Sequence, residues 1–135
     1  MPTVLVDSSV LLDVLTEDQD WFDWSSESLA RCCETGPLAI NPIVYAEVSI
    51  RFRRIEDLDA ALGSEFERRP LPWAAAFLAG KCFLKYRRRG GRASAPLPDF
   101  FIGAHAAVER MVLLTRDVSR YRRYFPTVEL LAPGS

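Results

Sequence analysis

Near its start the chain reads Thr3-Val4-Leu5-Val6-Asp7-Ser8-Ser9-Val10-Leu11. The β-branched run Thr3–Val6 predicts a short buried strand, which stops where Asp7 replaces the apolar side chains. Ser8 is able to cap the helix that follows. A short apolar strand that leads directly into a helix is typical of a parallel sheet with helices on both faces. This stretch therefore predicts an α/β fold.

The same alternation continues along the chain. Further strands are predicted at Leu38–Ile40, Glu65–Leu71, Met111–Leu114 and Thr127–Leu131. Helices are predicted at Trp21–Glu34, after Asn41-Pro42, at Ile55–Leu62, from Trp73 to Gly90-Gly91, from Asp99, and around Tyr121 and Tyr124. One apolar stripe, formed by Trp73, Phe77, Gly80 and Leu84, is expected to lie in the core.

The composition bounds the class of protein. A length of 135 residues suits one domain, residues 1–135, and 49% hydrophobic residues are enough for a core. No apolar stretch approaches the roughly 18 residues that span a bilayer, and the N-terminus lacks the basic segment of a secretory signal. Three cysteines, with Cys32 next to Cys33, form neither a disulfide framework nor a metal-binding spacing. We therefore expect a soluble cytoplasmic protein that does not bind a membrane.

The net charge of −1 conceals a split between the two halves of the chain. Through Glu67 there are 4 basic and 14 acidic residues, a net charge of 4 − 14 = −10. From Arg68 onward there are 13 basic and 4 acidic residues, a net charge of 13 − 4 = +9. The basic half indicates a surface that could face a polyanion.

Acidic residues follow the predicted strands. Asp7 and Asp117 lie just past two strands, while Glu47 and Asp99 lie on helices that rise beside the same edge of the sheet. Each alone could be a helix cap or a solvated side chain. If they converge, each pair of carboxylates repels by about 1–4 kcal/mol at effective dielectric constants of 20–80. Converging carboxylates are hard oxygen ligands that suit Mg²⁺ or Mn²⁺, and such a site in a small α/β domain suggests chemistry on phosphates.

Each of the four acids lies in a short motif. The motifs are Asp7-Ser8-Ser9-Val10-Leu11, Asn41-Pro42-Ile43-Val44-Tyr45-Ala46-Glu47, Pro98-Asp99-Phe100-Phe101-Ile102-Gly103-Ala104-His105-Ala106, and Leu113-Leu114-Thr115-Arg116-Asp117 with Tyr121. Together, and in this order, they resemble the motifs of PIN-domain nucleases. Length and motif style look most like the VapC-type toxins of VapBC toxin–antitoxin pairs. The resemblance implies a PIN-like three-layer fold, with a five-stranded parallel sheet of order 3-2-1-4-5 and helices on both faces.

The resemblance also implies an activity. It indicates a Mg²⁺- or Mn²⁺-dependent endoribonuclease that cleaves RNA phosphodiesters by metal-activated water, leaving 5′-phosphate and 3′-hydroxyl ends. The implied catalytic and metal-binding residues are Asp7, Glu47, Asp99 and Asp117. Thr115 is expected to orient a carboxylate or a water, and Ser8 keeps the hydroxyl of that motif position. The implied partners are a second copy of the chain and a VapB-type antitoxin, whose C-terminal segment lies in a hydrophobic groove.

The basic half provides a candidate RNA surface. Lys81, Lys85, Arg88 and Arg92 share a helical face if the helix persists that far, and Arg116 neighbours the acids. Such a stripe would hold the RNA backbone through its phosphates. A solvated face is an equally good interpretation.

Other residues favour structural roles. His105 lies six residues past Asp99 and is expected to point away from it, in a packing or surface role. Asp13 is expected to be exposed. Trp21, Phe22 and Trp24 exceed what one helix face can bury, so one or two are expected at the surface. Core packing is the default role for the others, and an exposed aromatic patch would suit a dimer or antitoxin contact.

Three other functions are compatible with an acid after the first strand or with a PIN-like fold. A haloacid dehalogenase needs an acid at Ser9, and a response regulator needs a lysine after a late strand, so neither fits the sequence. The alternative that stays open is a catalytically silent PIN-like domain that binds RNA or protein. A lost acid would favour it, and none is lost.

Overall fold

The computed structural model describes residues 2–91 and 97–134. Five strands form one parallel sheet in the order β3-β2-β1-β4-β5. They are β1 (Val4–Val6), β2 (Leu38–Ile40), β3 (Phe66–Arg68), β4 (Val112–Leu114) and β5 (Leu130–Leu131). The predicted α/β class and the implied strand order are both confirmed.

Helices connect the strands, as the sequence predicts. In the described residues they are α1 (Ser8–Leu15), α2 (Phe22–Thr35), α3 (Pro42–Ser49), α4 (Ile55–Leu62), α5 (Trp73–Arg88), α6 (Leu97–Val108) and α7 (Ser119–Tyr124). α1 begins at Ser8 with Asp7 in the cap position, so the hydroxyl of Ser8 is not the cap and is free for another partner. None of these helices is both long and apolar enough to cross a membrane.

The centre of the sheet is the most buried part of the molecule. β1, β2 and β4 are buried at every residue, because helices cover both faces. The side chains of the edge strands β3 and β5 are partly exposed. In register, Val6 lies opposite Leu114, so β1 and β4 end side by side. Polar residues that follow these two strands are thus brought together at the carboxyl edge of the sheet.

The expectation that the Trp73 stripe lies in the core is wrong. Trp73 is 91% exposed and Phe77 68% exposed, and Leu84 is also exposed. α5 instead buries Ala75, Ala79 and Cys82 and packs against α6. These small side chains let the two helices approach closely, which leaves the larger apolar residues outside.

Two further expectations concern the ends of helices. α5 ends at Arg88, short of Arg92, which lies outside the described residues. Trp21, Phe22 and Trp24 are each partly buried, and the rings of Trp21 and Trp24 meet edge to face with their centroids 6.1 Å apart. Their place at an interface stays a prediction.

Candidate metal centre

Asp7 is fixed where β1 and β4 end together. Its backbone N–H donates to the carbonyl oxygen of Leu114 at 2.9 Å, which extends the strand pairing by one residue. Its carboxylate oxygen Oδ2 accepts hydrogen bonds from Thr115 Oγ1 at 2.7 Å and Ser9 Oγ at 3.2 Å. Asp7 is almost fully buried, and these two hydroxyls supply part of the solvation that burial removes.

Glu47 approaches the same edge on α3. This helix begins directly after β2 because Asn41 caps it, accepting from the Val44 N–H at 2.9 Å, and Pro42 follows at its first position. Glu47 lies little more than one turn further on and accepts a 2.7 Å hydrogen bond from Ser8 Oγ. The Ser8 hydroxyl, not used as a helix cap, thus holds the second acid beside the first.

Asp99 comes from the first turn of α6. The position of α6 depends on Gly103, since a Cβ at that residue would overlap the ring of Phe125. One carboxylate oxygen of Asp99, Oδ2, lies 2.7 Å from Nη1 of Arg120 on α7. Arg120 is not among the site residues predicted from the sequence. No local pattern connects residues 21 apart, although the family motif that includes Tyr121 passes through its neighbour.

Three of the four predicted acids form one cluster. Oxygen atoms of Asp7, Glu47 and Asp99 all lie within 4.8 Å of one another. Burial and the nearby charge of Asp7 raise the pKa of Asp99 to about 7. Burial also raises the pKa of Asp7 and of Glu47. The cluster therefore favours a bound proton or a bound cation over three free charges.

Asp117 lies at the rim of the cluster. It is exposed, and it lines the same cleft as Asp7 and Asp99. Its backbone N–H donates to Thr115 Oγ1 at 3.0 Å, while that hydroxyl donates to Asp7. Thr115 therefore couples the fourth acid to the first, as a residue that orients a carboxylate would.

The donor set suits a hard divalent cation. The three clustered acids offer oxygen ligands only. Below them, the hydroxyl of Tyr121 is fully buried and has no hydrogen-bond partner in the described part of the chain. Burial and the charges of the four acids raise its pKa well above the usual value, so the hydroxyl is a neutral donor beside the cluster. Mg²⁺ and Mn²⁺ sites retain water molecules, which such a donor could bind.

Asp13 is not exposed as expected, since it is almost fully buried on α1. Arg116 donates to both of its oxygens, through Nε at 2.7 Å and Nη2 at 2.8 Å, and Ser25 Oγ donates at 2.7 Å. The guanidinium of Arg116 also lies over the ring of Trp21, 5.3 Å from its centroid. The partners of this acid come from distant parts of the chain, so a helical pattern could not reveal them.

His105 is a packing residue, one of the two roles expected for it. Asn41 Oδ1 accepts from Val44, so the amide nitrogen of Asn41 faces His105 Nδ1, 3.0 Å away, and donates to it. The other ring nitrogen, Nε2, then carries the proton and donates to Glu109 at 2.9 Å. Burial lowers the pKa of His105, which agrees with a neutral ring that steadies the start of α3.

The basic residues of α5 lie outside the cluster. Lys81, Lys85 and Arg88 are exposed, and Lys81 Nζ lies 5.1 Å from the centroid of the Phe77 ring. Arg116, the remaining predicted RNA ligand, uses two nitrogens for Asp13. Contact between any of these residues and RNA stays a prediction.

Comparisons with known proteins agree with this geometry. The family model described as PIN domain matches residues 4–125. A search of curated proteins finds no match. Among solved structures, VapBC2 from Rickettsia felis bound to a promoter DNA fragment matches with a TM-score of 0.73 and 18% identity, covering 96% of this chain and 98% of that one.

Two other solved structures are similar in the same way. DNA-bound VapBC from Salmonella typhimurium matches with a TM-score of 0.70 and 17% identity, covering 98% of each chain. VapBC-1 from nontypeable Haemophilus influenzae matches with a TM-score of 0.71 and 15% identity, covering 96% of this chain and 97% of that one. At these identities the likeness concerns the fold. Since the family match runs through nearly the whole sheet and all the clustered acids, the chain belongs to the PIN domain family.

Proposed function

We propose that this protein is a Mg²⁺- or Mn²⁺-dependent endoribonuclease and the toxin of a type II toxin–antitoxin pair. The observation that carries the proposal is the convergence of Asp7, Glu47 and Asp99 within 4.8 Å at the carboxyl edge of a PIN-type sheet. Three carboxylates so close together repel one another, so the cluster stabilises the folded chain only when a cation or protons lie between them.

Each polar residue at the edge has a role in this proposal. Asp7, Glu47 and Asp99 would hold the cation, and Asp117 at the rim of the cleft would assist them. Ser8 and Thr115 fix the orientation of Glu47 and Asp7 through the hydrogen bonds described above. When bound, the cation supplies an activated water for in-line attack and neutralises charge that develops on the phosphoryl oxygens.

The proposed RNA path uses the basic second half of the chain. Lys81, Lys85 and Arg88 are exposed on α5, whose last turns contact α7 through Tyr86 and Tyr124. Contacts to phosphates are sequence-independent and release counterions, so affinity for RNA should fall steeply with salt. Arg88→Ala should flatten the salt slope by about 0.7 for single-stranded RNA. An unchanged slope would remove Arg88 from the path.

The proposed protein partner is a VapB-type antitoxin. An apolar groove of about 360 Å³ lies between α1, α2, α4 and β3 and suits an apolar peptide segment. Its lining includes Leu11, Val14, Leu15, Leu29, Leu62 and Phe66. The three solved structures compared above are VapBC proteins, which supports a partner of this class.

A homodimer in the cytoplasm belongs to the same proposal. The exposed apolar residues of α5, above all Trp73 and Phe77, are the surface that a second copy would cover. Light scattering should then give twice the mass of the chain, and the double variant Trp73→Ser/Phe77→Ser should give a monomer. A wild-type monomer at micromolar concentration would contradict the dimer.

The enzymatic proposal is tested by RNA cleavage. Wild-type protein should cut RNA with Mg²⁺ or Mn²⁺ and stop when EDTA is added. Asp7→Asn and Asp99→Asn should be inactive, while Asp57→Asn, which changes an exposed acid on α4, should cut normally. A wild-type chain that binds RNA but never cuts it would favour the silent PIN-like module instead.

A further inference from the structure

Arg120 contacts the acid cluster from α7. Its Nη1 lies 2.7 Å from Asp99 Oδ2, and both side chains are mostly buried, 22% and 17% exposed. Within residues 2–91 and 97–134 it is the one basic side chain that bonds to any of the three clustered acids. A cation that is to bind Asp99 therefore meets a positive charge already in place.

The guanidinium is held by aromatic rings as well as by Asp99. It lies 5.6 Å from the ring centroid of Tyr86 and 5.9 Å from that of Phe100. These contacts restrict the position of the guanidinium and use none of its N–H donors. No acceptor for Nε or Nη2 is found in the described part of the chain, so those donors are open to another ligand.

The charge count shows why Arg120 does not replace a metal ion. When fully ionised, the three acids carry −3, and Arg120 brings the total to −3 + 1 = −2, which a divalent cation would neutralise. With the cation present, the Arg120–Asp99 attraction weakens because Asp99 shares its charge. A planar guanidinium with free donors is then suited to a phosphate, which it binds through paired hydrogen bonds.

We propose that Arg120 is a substrate-binding residue of the acid site, which pairs with Asp99 in the metal-free protein and binds an RNA phosphate once a divalent cation holds the acids. This inference rests on the proposed ribonuclease function and adds to it a link between metal binding and RNA binding. The two rings keep the guanidinium beside the cleft in both states.

Two effects of opposite sign follow for Arg120→Ala. Removal of the competing charge should tighten Mn²⁺ binding, by about 3- to 30-fold. Loss of one phosphate contact should weaken RNA binding and flatten its salt slope by about 0.7, but only when the divalent cation is present. A residue that merely supports the fold would weaken both ligands or neither.

The experiment compares the wild type with Arg120→Ala, Arg120→Lys and a control, Arg122→Ala, which changes an exposed arginine of the same helix. Calorimetry measures Mn²⁺ alone. Fluorescence anisotropy then measures a phosphorothioate-linked single-stranded RNA at several salt concentrations, with Mg²⁺ and with EDTA. Arg120→Lys keeps the charge and should bind Mn²⁺ like the wild type while binding RNA more weakly, which preserves the test if the alanine variant misfolds.

The outcomes separate this inference from the proposed function. Unchanged Mn²⁺ affinity in Arg120→Ala, or a salt slope that flattens equally in EDTA, would overturn the role of Arg120 while wild-type cleavage still stands. Absence of Mn²⁺ binding and of RNA cleavage in the wild type would instead overturn the proposed function. A slope that changes equally in Arg122→Ala would count against a specific role for Arg120.

Discussion

Two buried aspartates of the first βα unit have opposite surroundings. Asp7 and Asp13 are 3% and 2% exposed, at the start and in the middle of α1. Asp13 has its cation within the fold, since Arg116 donates to both oxygens and Ser25 adds a third hydrogen bond. Among the described residues no basic side chain pairs with Asp7, whose carboxylate accepts from the hydroxyls of Thr115 and Ser9, and two other acids lie beside it. The difference separates a carboxylate whose charge is neutralised within the fold from one that, under the proposed function, binds an external cation.

The largest expected effect concerns Asp7, the aspartate that has no basic partner. Asp7→Asn should reduce RNA cleavage by about 1,000-fold or more, equivalent to about 4 kcal/mol of transition-state stabilisation, because the cation loses its most buried ligand. The free energy of unfolding in EDTA should be unchanged or higher, since a repulsive charge is removed. Single-turnover cleavage and urea unfolding of the same variant measure the two quantities. A variant that is active, or that is unfolded, would contradict this difference between Asp7 and Asp13.

Asp13→Asn should do the reverse. It breaks a paired, buried charge and should lower the free energy of unfolding by about 2–3 kcal/mol, somewhat less than for a fully buried pair because Arg116 is a third exposed. Urea unfolding measures the loss. The double variant Asp13→Leu/Arg116→Met should recover part of the stability, because no unpaired charge remains. Stability equal to the wild type in Asp13→Asn would show that this pair is not structural.

Thr115→Val tests the hydroxyl that donates a hydrogen bond to Asp7, which lacks the arginine partner of Asp13. Removal of a hydrogen bond to a buried carboxylate should lower the free energy of unfolding by about 1.5 kcal/mol. It should also weaken Mn²⁺ binding by about 10-fold, because Asp7 is no longer oriented. Calorimetry with Mn²⁺ measures the affinity. Thr16→Val is the matched control, since its hydroxyl donates to the Leu12 carbonyl at the end of α1. Equal Mn²⁺ affinity in both variants would show that Thr115 does not orient a ligand.

The smallest expected effect is a pH dependence in the absence of metal. The pKa of Asp99 is raised from 3.8 to about 7, so the folded chain binds the proton more tightly than the unfolded chain. Its contribution therefore destabilises the metal-free fold progressively as pH rises from about 4 to 7. Asp99→Asn should flatten this dependence. It should also raise the free energy of unfolding at pH 8, but only by about 1 kcal/mol because Arg120 loses its partner, which offsets part of the gain. Urea unfolding in EDTA at pH 5 and pH 8 gives the comparison, and an unchanged pH dependence would contradict it.

How much of the structure can be predicted from the sequence depends on how far apart along the chain the interacting residues lie. The strands, the helices and the edge where the acids meet follow from local patterns, because an acid after a buried strand must lie at the carboxyl edge of a parallel sheet. Arg120 and the burial of Asp13 depend on pairs from distant segments, which leave no periodic signal. The error over Trp73 has a packing cause: helical spacing identified a stripe of apolar residues, but a neighbouring stripe of small residues on α5 fits α6 better.

The absence of a side chain at Gly103 controls the placement of Asp99 one turn earlier on α6. Because a Cβ there would overlap the Phe125 ring, α6 lies as close to the end of α7 as this glycine permits. The affinity of the acid cluster for a cation thus depends on the volume of the side chain at residue 103, even when all three acids are unchanged. In the series Gly103→Ala, Gly103→Ser and Gly103→Val, we expect larger side chains to move Asp99 further from the other two acids in graded steps. An attenuated form of the protein could be made in this way without altering its chemistry.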